Sequence, residues 1–211
     1  MIHMKTEKEI QCCITQCDLP IDQHYWNERW EKNETGWDIG SASPAITEYM
    51  KQYGNKEAAI LIPGCGNAHE AAFLVENGFT DITLLDIAPA AAEILKNKFS
   101  KHPQVKVVCE DFFLHQGKYD LILEQTFFCA IPPFRRKEYA EKSASLLNTN
   151  GKIVGLLFDR TFEQQGPPFG GCPCEYKPIF ESKFNVKAMD PAYNSIPPRA
   201  ESEVFINLIK K

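Results

Sequence analysis

No apolar run in this chain approaches the roughly 18 residues that crossing a bilayer requires. Excess positive charge is missing too: 23 Lys and Arg against 28 Asp and Glu leave a formal net charge of −5. A general nucleic-acid binder carries a basic footprint, and this balance excludes one. Internal repeats and low-complexity tracts are absent. The opening MIHMKTEKEI has charges where a secretory signal has its apolar centre. A cytoplasmic protein with neither membrane nor nucleic-acid partners is expected. The paired cysteine spacing of a structural zinc site is also lacking. Cysteines stand at Cys12, Cys13, Cys17, Cys65, Cys109, Cys129, Cys172 and Cys174, and the histidines His3, His24, His69, His102 and His115 are scattered. No metal site is expected, and the thiols are expected to be reduced and mostly buried as small hydrophobes. No Ser/His/Asp or Cys/His set stands out, so no catalytic residue is assigned.

What the chain does have is an ordinary globular balance, 44% hydrophobic and 24% charged over 211 residues. That length suits one domain with an extra segment. Residues 1–17 read as a loose helix or frayed arm. Residues 22–42 hold all three tryptophans, with Trp26 and Trp30 spaced to share one helix face. Ser43 then Pro44 open a helix that Gly54 and Asn55 stop. From there strands alternate with helices. The expected strands are 58–63, 82–86, 105–109, 119–124 and 151–158, and the expected helices 68–77, 89–99 and 135–148. This alternation predicts an α/β fold, a mostly parallel sheet with helices on both faces. The strand runs are apolar throughout, as double coverage requires. A Gly- and Pro-rich loop fills 159–174, followed by a helix at 175–183 and strands at 184–190 and 201–209. The last of the seven strands has no crossover helix before it and is expected to run antiparallel.

The chemistry concentrates at strand ends. PGCGNAHE (63–70) is a turn from strand to helix in which Gly64 and Gly66 let the backbone bend and approach a ligand. Asp86 ends the second strand, suited to ribose hydroxyls. A dinucleotide fingerprint asks for a third glycine where this chain has His69, which disfavours a nucleotide-dependent oxidoreductase. Asp111 follows the third strand and suits an adenine amino group, with Phe112 covering the ring. Adenosine without pyrophosphate points to S-adenosylmethionine.

Four stretches carry a resemblance to a known family: YWNERWEKNETGWDIG (25–40), LIPGCGNAHEA (61–71), LEQTFFCAIPP (123–133) and GPPF (166–169), which SIPPRAE (195–201) extends. The chain resembles class I S-adenosylmethionine-dependent methyltransferases, with a Rossmann-like fold, and within them the thiopurine S-methyltransferase family. FFCAI and the Trp37-Asp38 pair look closer to its halide/thiol branch. The animal thiopurine branch has an arginine after the fourth-strand acid, where this chain has Gln125. The resemblance implies a cover segment, 1–42, over a methyltransferase domain, 43–211, acting as a monomer. It implies that Trp26, Trp30, Trp37, Gly64, Gly66, Asp86, Ile87, Asp111, Phe112 and Gln125 hold the cofactor. It places Trp37, Phe128, Phe169 and Arg199 at the substrate, beside Phe127. Arg136 is either a second draw for an anionic substrate or a solvated helix charge. The implied reaction is methyl transfer from S-adenosylmethionine, leaving S-adenosylhomocysteine, to hydrosulfide, thiocyanate or halide. The alternatives are an aromatic, thiopurine-like thiol as acceptor, and a non-catalytic cofactor-binding module.

Overall fold

The structure is a computed structural model describing residues 20–211. Cys12, Cys13, Cys17 and the expected arm at 1–17 lie outside the described residues. The first helix, α1 (Gln23–Glu31), is opened by Asp22, whose side chain accepts the Tyr25 backbone N–H. Trp26 and Trp30 lie on α1, whereas Trp37 follows in a turn, so only part of the 22–42 segment is helical. Next come α2 (Pro44–Lys51), β1 (Ala59–Pro63), α3 (His69–Glu76), β2 (Asp81–Asp86), α4 (Pro89–Lys98), β3 (Val105–Cys109) and β4 (Tyr119–Gln125). A 3₁₀ turn at Pro133–Arg135 leads into α5 (Arg136–Leu146). The chain closes with β5 (Leu147–Phe158), α6 (Pro173–Glu181), β6 (Phe184–Pro191) and β7 (Glu203–Lys210). Among the described residues no helix is long and apolar enough to cross a membrane.

Seven strands form one sheet in the order β3-β2-β1-β4-β5-β7-β6, and β7 pairs antiparallel with both neighbours. The strands alternate between two cores. Ile60 and Ile62 of β1, and Leu121 and Leu123 of β4, pack with Met50, Leu74 and Leu95 under α2, α3 and α4. Leu61 and Ile122 point the other way, to Tyr139, Ala140 and Phe180 of α5 and α6. This double burial is what an apolar parallel strand requires. β3 departs from it: as an edge strand it leaves Lys106 and Cys109 exposed.

Two expectations about side chains are corrected. Cys172 and Cys174 are not reduced thiols but a disulfide, because extended Cys172 and the helix start at Pro173 bring their Cα atoms to 5.3 Å. Cys65 and Cys129 are buried free thiols, but Cys109 is exposed. Arg136 is neither solvated nor offered to a substrate. It is fully buried, 2.6 Å from Glu175, and donates to the Phe169 and Gly170 carbonyls at 3.4 and 2.8 Å. It thereby ties the Gly- and Pro-rich loop to α5.

Candidate active site

The strand order reverses between β1 and β4, and open α/β sheets bind ligands in the crevice at that point. A cavity of about 850 Å³ runs there along the carboxyl ends of β3, β2, β1, β4 and β5. Its wall takes Asp86 and Ile87 after β2, Glu110 to Leu114 after β3, Gly64 and Gly66 after β1, and Thr126 and Phe127 after β4. Trp26, Trp30 and Trp37 close it from the N-terminal side, and Phe158, Pro167, Pro168 and Arg199 from the other.

The glycine turn is shaped for close approach. Gly64 and Gly66 both have φ of +54°, a region that side chains avoid. A Cβ on Gly64 would stand 2.4 Å from Phe127 Cδ2, so the phenyl ring is seated directly over this backbone. Trp37 lies over Gly66, its Nε1 being 3.6 Å from where a Cβ would be. Asp86 is buried in the turn: Oδ1 accepts the Ala88 N–H at 2.9 Å and Oδ2 the Gly66 N–H at 3.4 Å. Burial pushes its carboxyl up to about 6, against the pull of these backbone donors. Asp111 accepts the Phe113 N–H at 2.9 Å and so orders the turn after β3. Phe112 stacks on Tyr139 and meets Phe127 edge-on. Trp37 contacts Trp26 and Trp30 at centroid distances of 5.5 and 5.9 Å. Its carbonyl accepts from Arg199 Nη2 at 3.1 Å, while Arg199 Nη1 is 3.4 Å from Glu203.

Of the sequence-predicted residues, the structure therefore brings Trp26, Trp30, Trp37, Gly64, Gly66, Asp86, Ile87, Asp111, Phe112 and Arg199 to one cavity. Three fall elsewhere. Phe128 is in the core against Tyr139, Tyr176 and Phe180, because its N–H donates to buried Glu124 and turns the ring inward. Phe169 is fully buried; its N–H bonds the Cys129 carbonyl, which leaves Pro167 and Pro168 at the cavity instead. Gln125 lines a small adjoining cavity of about 40 Å³, which shares Trp37, Gly64, Gly66 and Thr126 with the main one, and its Oε1 is buried without a partner among the described residues. Thr126, Ile131, Pro132, Arg135 and Phe158 line the cavity without having been singled out from the sequence, whereas Pro167 and Pro168 belong to the GPPF stretch expected on the substrate side. Thr126, with φ of +64°, is a strained non-glycine position that only coordinates reveal.

The two halves of the cavity differ chemically. The β2–β3 half holds the acids Asp86, Glu110 and Asp111. The β4–β5 half is apolar, with Phe127, Ala130, Ile131, Pro132, Phe158, Pro167 and Pro168, and its charged side chains are Arg135 and Arg199. Among the described residues, those that β4, β5 and the loops after them bring to the cavity include no His, Asp, Glu or Lys, while Asp22, Arg29 and Glu34 reach it from the N-terminal segment. The thiol of the β4–β5 half, Cys129, is pushed up to about 12, chiefly by burial. An acid-lined half beside the glycine turn fits an adenosine and its ribose; the apolar half fits a second, small reactant. The fold and this division define a class I methyltransferase architecture.

Comparison with known proteins narrows the class. The family described as thiopurine S-methyltransferase matches residues 21–205, and the chain belongs to that family. A probable thiol methyltransferase 2 of Arabidopsis thaliana is 31% identical over 159 residues, 73% of this chain and 70% of that protein. Thiocyanate methyltransferase 1 of Brassica oleracea is 28% identical over 164 residues, 75% of this chain and 72% of that protein. Among solved structures, a Burkholderia thailandensis 1,6-didemethyltoxoflavin-N1-methyltransferase is similar in fold, with a TM-score of 0.74 at 14% identity, covering 94% of this chain and 95% of that one. The protein is an S-methyltransferase whose methyl donor is S-adenosylmethionine.

Proposed function

We propose that the acceptor is a small thiol or soft anion, such as hydrosulfide, thiocyanate or halide, that reaches the site already ionised. The observation carrying this is that β4, β5 and the loops after them bring no carboxylate, imidazole or amine to the cavity, and that the Cys129 thiol there is pushed up to about 12. Its relatives among thiol and thiocyanate methyltransferases support the same choice.

When bound, S-adenosylmethionine supplies a methyl group on a positively charged sulfur. Asp86 would accept its ribose hydroxyls, and Asp111 with Phe112 would hold the adenine. Gly64 and Gly66, which line the cavity under Phe127 and Trp37, would run along the amino-acid portion. The faces of Trp26, Trp30 and Trp37 suit a cation, which the ring quadrupole attracts. On the acceptor side, Phe127, Ile131, Phe158 and Pro168 exclude water, so an anion entering there loses hydration near the opposite charge. Arg199 supplies the local positive charge that draws it in, tempered by Glu203. The chain's contribution is alignment and desolvation, not proton transfer. The segment 1–42 would act as a cover over this site, and the enzyme would work as a monomer on a small molecule in the cytoplasm.

An aromatic or thiopurine-like thiol is the second reading, favoured by the aromatic walls Phe113, Phe127 and Phe158 and by the family's own description. The test is the pH dependence of kcat/KM for thiols of differing acidity. With no base in the site, the lower inflection should follow each acceptor's own pKa. With S-adenosylmethionine kept saturating at every pH, so that the titration of Asp86 does not enter, one fixed inflection shared by all thiols would contradict the reading and require an enzyme base.

A further inference from the structure

Asp38 gathers donors from two parts of the chain. Its Oδ1 accepts the Gly40 N–H at 2.8 Å and lies 2.8 Å from His69 Nε2, and its Oδ2 accepts Asn67 Nδ2. Asn67 and His69 belong to the turn that leads from β1 into α3, the turn that carries Gly64 and Gly66. On the same helix, Glu70 accepts the Ser43 N–H at 2.9 Å. The stretch from Asp38 to Ser43 is thus fastened to the start of α3. Asp38, Asn67 and His69 all lie off the walls of the main cavity. Trp37, next to Asp38 in the chain, does line it: it packs over Gly66, meets Trp26 and Trp30, and its backbone carbonyl accepts from Arg199. Burial pushes the Asp38 carboxyl up, but the donors from Gly40, Asn67 and His69 outweigh it and hold it below its ordinary value. His69 stands where a pyrophosphate-binding turn has a glycine for close packing. Here an imidazole takes that place and reaches across to the tryptophan segment.

We propose that Asp38 is a positioning residue: clasped by His69 and Asn67, it fixes Trp37 as a rigid wall over the glycine turn and so sets cofactor affinity. Such preorganisation saves the ordering cost that binding would otherwise meet. A plain solvated ion pair, by contrast, contributes little. The inference rests on S-adenosylmethionine lying along Gly64 and Gly66.

All three tryptophans of the chain lie between Trp26 and Trp37, so emission excited selectively from tryptophan reports on this segment. The experiment compares wild type with Asp38→Ala, His69→Ala and His69→Gln. Emission is recorded without cofactor, S-adenosylhomocysteine affinity by calorimetry, and KM for S-adenosylmethionine separately from kcat. Asp38→Ala should red-shift the emission of the cofactor-free protein and weaken S-adenosylhomocysteine about tenfold, or about 1.4 kcal/mol, with KM rising more than kcat falls. His69→Gln keeps a donor toward Asp38 and should restore emission and affinity that His69→Ala loses. Emission and affinity both within about twofold of wild type in Asp38→Ala would overturn the proposal. So would lost affinity with unchanged emission, which would make Asp38 act other than through Trp37, or shifted emission with unchanged affinity. Should Asp38→Ala fail to fold, Asn67→Ala removes one donor only and carries the same expectations in weaker form. If instead the cofactor lies elsewhere, Asp86→Ala will leave S-adenosylhomocysteine affinity unchanged, which separates that failure from this one.

Discussion

With the ribose placed on Asp86, as proposed, cofactor binding should depend on pH in a range where most carboxylates are fully ionised. In the free protein the Asp86 carboxyl is pushed up to about 6 by burial, from an ordinary 3.8. A raised carboxyl pKa means the folded protein holds a proton that the unfolded chain has released. Asp86 therefore contributes its full stability below about pH 4 and costs up to about 3 kcal/mol once pH has risen past about 6. Ribose hydroxyls donate to the ionised form, so binding favours the deprotonated state. At pH 7 about nine-tenths of the protein is then binding-competent, and at pH 5 about one-tenth, so the apparent Kd should weaken about tenfold between them. Calorimetry with S-adenosylhomocysteine at half-unit steps measures this. Asp86→Asn keeps the shape but cannot ionise: it should bind more weakly at pH 7 and lose the slope. The control matters because Glu124, buried beneath the site, is also raised, to about 7, chiefly by burial. A flat wild-type profile, or the same slope in Asp86→Asn, would refute the placement of ribose on Asp86.

Two further substitutions test the framework around the site. Gly64→Ala must place a Cβ at positive φ, costing ~1–2 kcal/mol, and against Phe127 at 2.4 Å, costing ~1–3 kcal/mol more. Urea unfolding should register a loss of about 2–5 kcal/mol and calorimetry a weakened S-adenosylhomocysteine; stability within about 0.5 kcal/mol of wild type would contradict the close packing. Arg136→Ala strands the Glu175 carboxylate and two loop carbonyls in the core, for a loss of about 3–5 kcal/mol in urea unfolding. The pair Arg136→Met with Glu175→Leu should recover much of that, and failure to recover it would show that the ion pair itself stabilises the loop.

Much of this architecture was legible because it rests on local rules. Apolar runs between helical stretches placed every strand, and the antiparallel direction of β7 followed from the missing crossover before it. Gly64, Gly66, Asp86 and Asp111 were readable as cavity-lining residues because the crevice of an open α/β sheet forms at the carboxyl ends of its strands. The errors arose where direction depends on distant partners. Phe127 and Phe128 are neighbours in a turn, yet Glu124 turns one into the core and leaves the other over Gly64. Phe169 and Arg136 bury each other's polar partners across 33 residues, which no local pattern encodes. His69 was visible only as a missing glycine; its reach to Asp38 is a tertiary fact.

The most direct measurement is turnover of thiocyanate, an anion with no proton to give up, followed as S-adenosylhomocysteine and methyl thiocyanate formed in equal amounts. It is run beside iodide, hydrosulfide, a thiophenol and 6-mercaptopurine. The small anions should show saturable turnover, with kcat/KM exceeding that of the heterocyclic thiol. Turnover of 6-mercaptopurine alone, with no methyl transferred to any small anion, would contradict this.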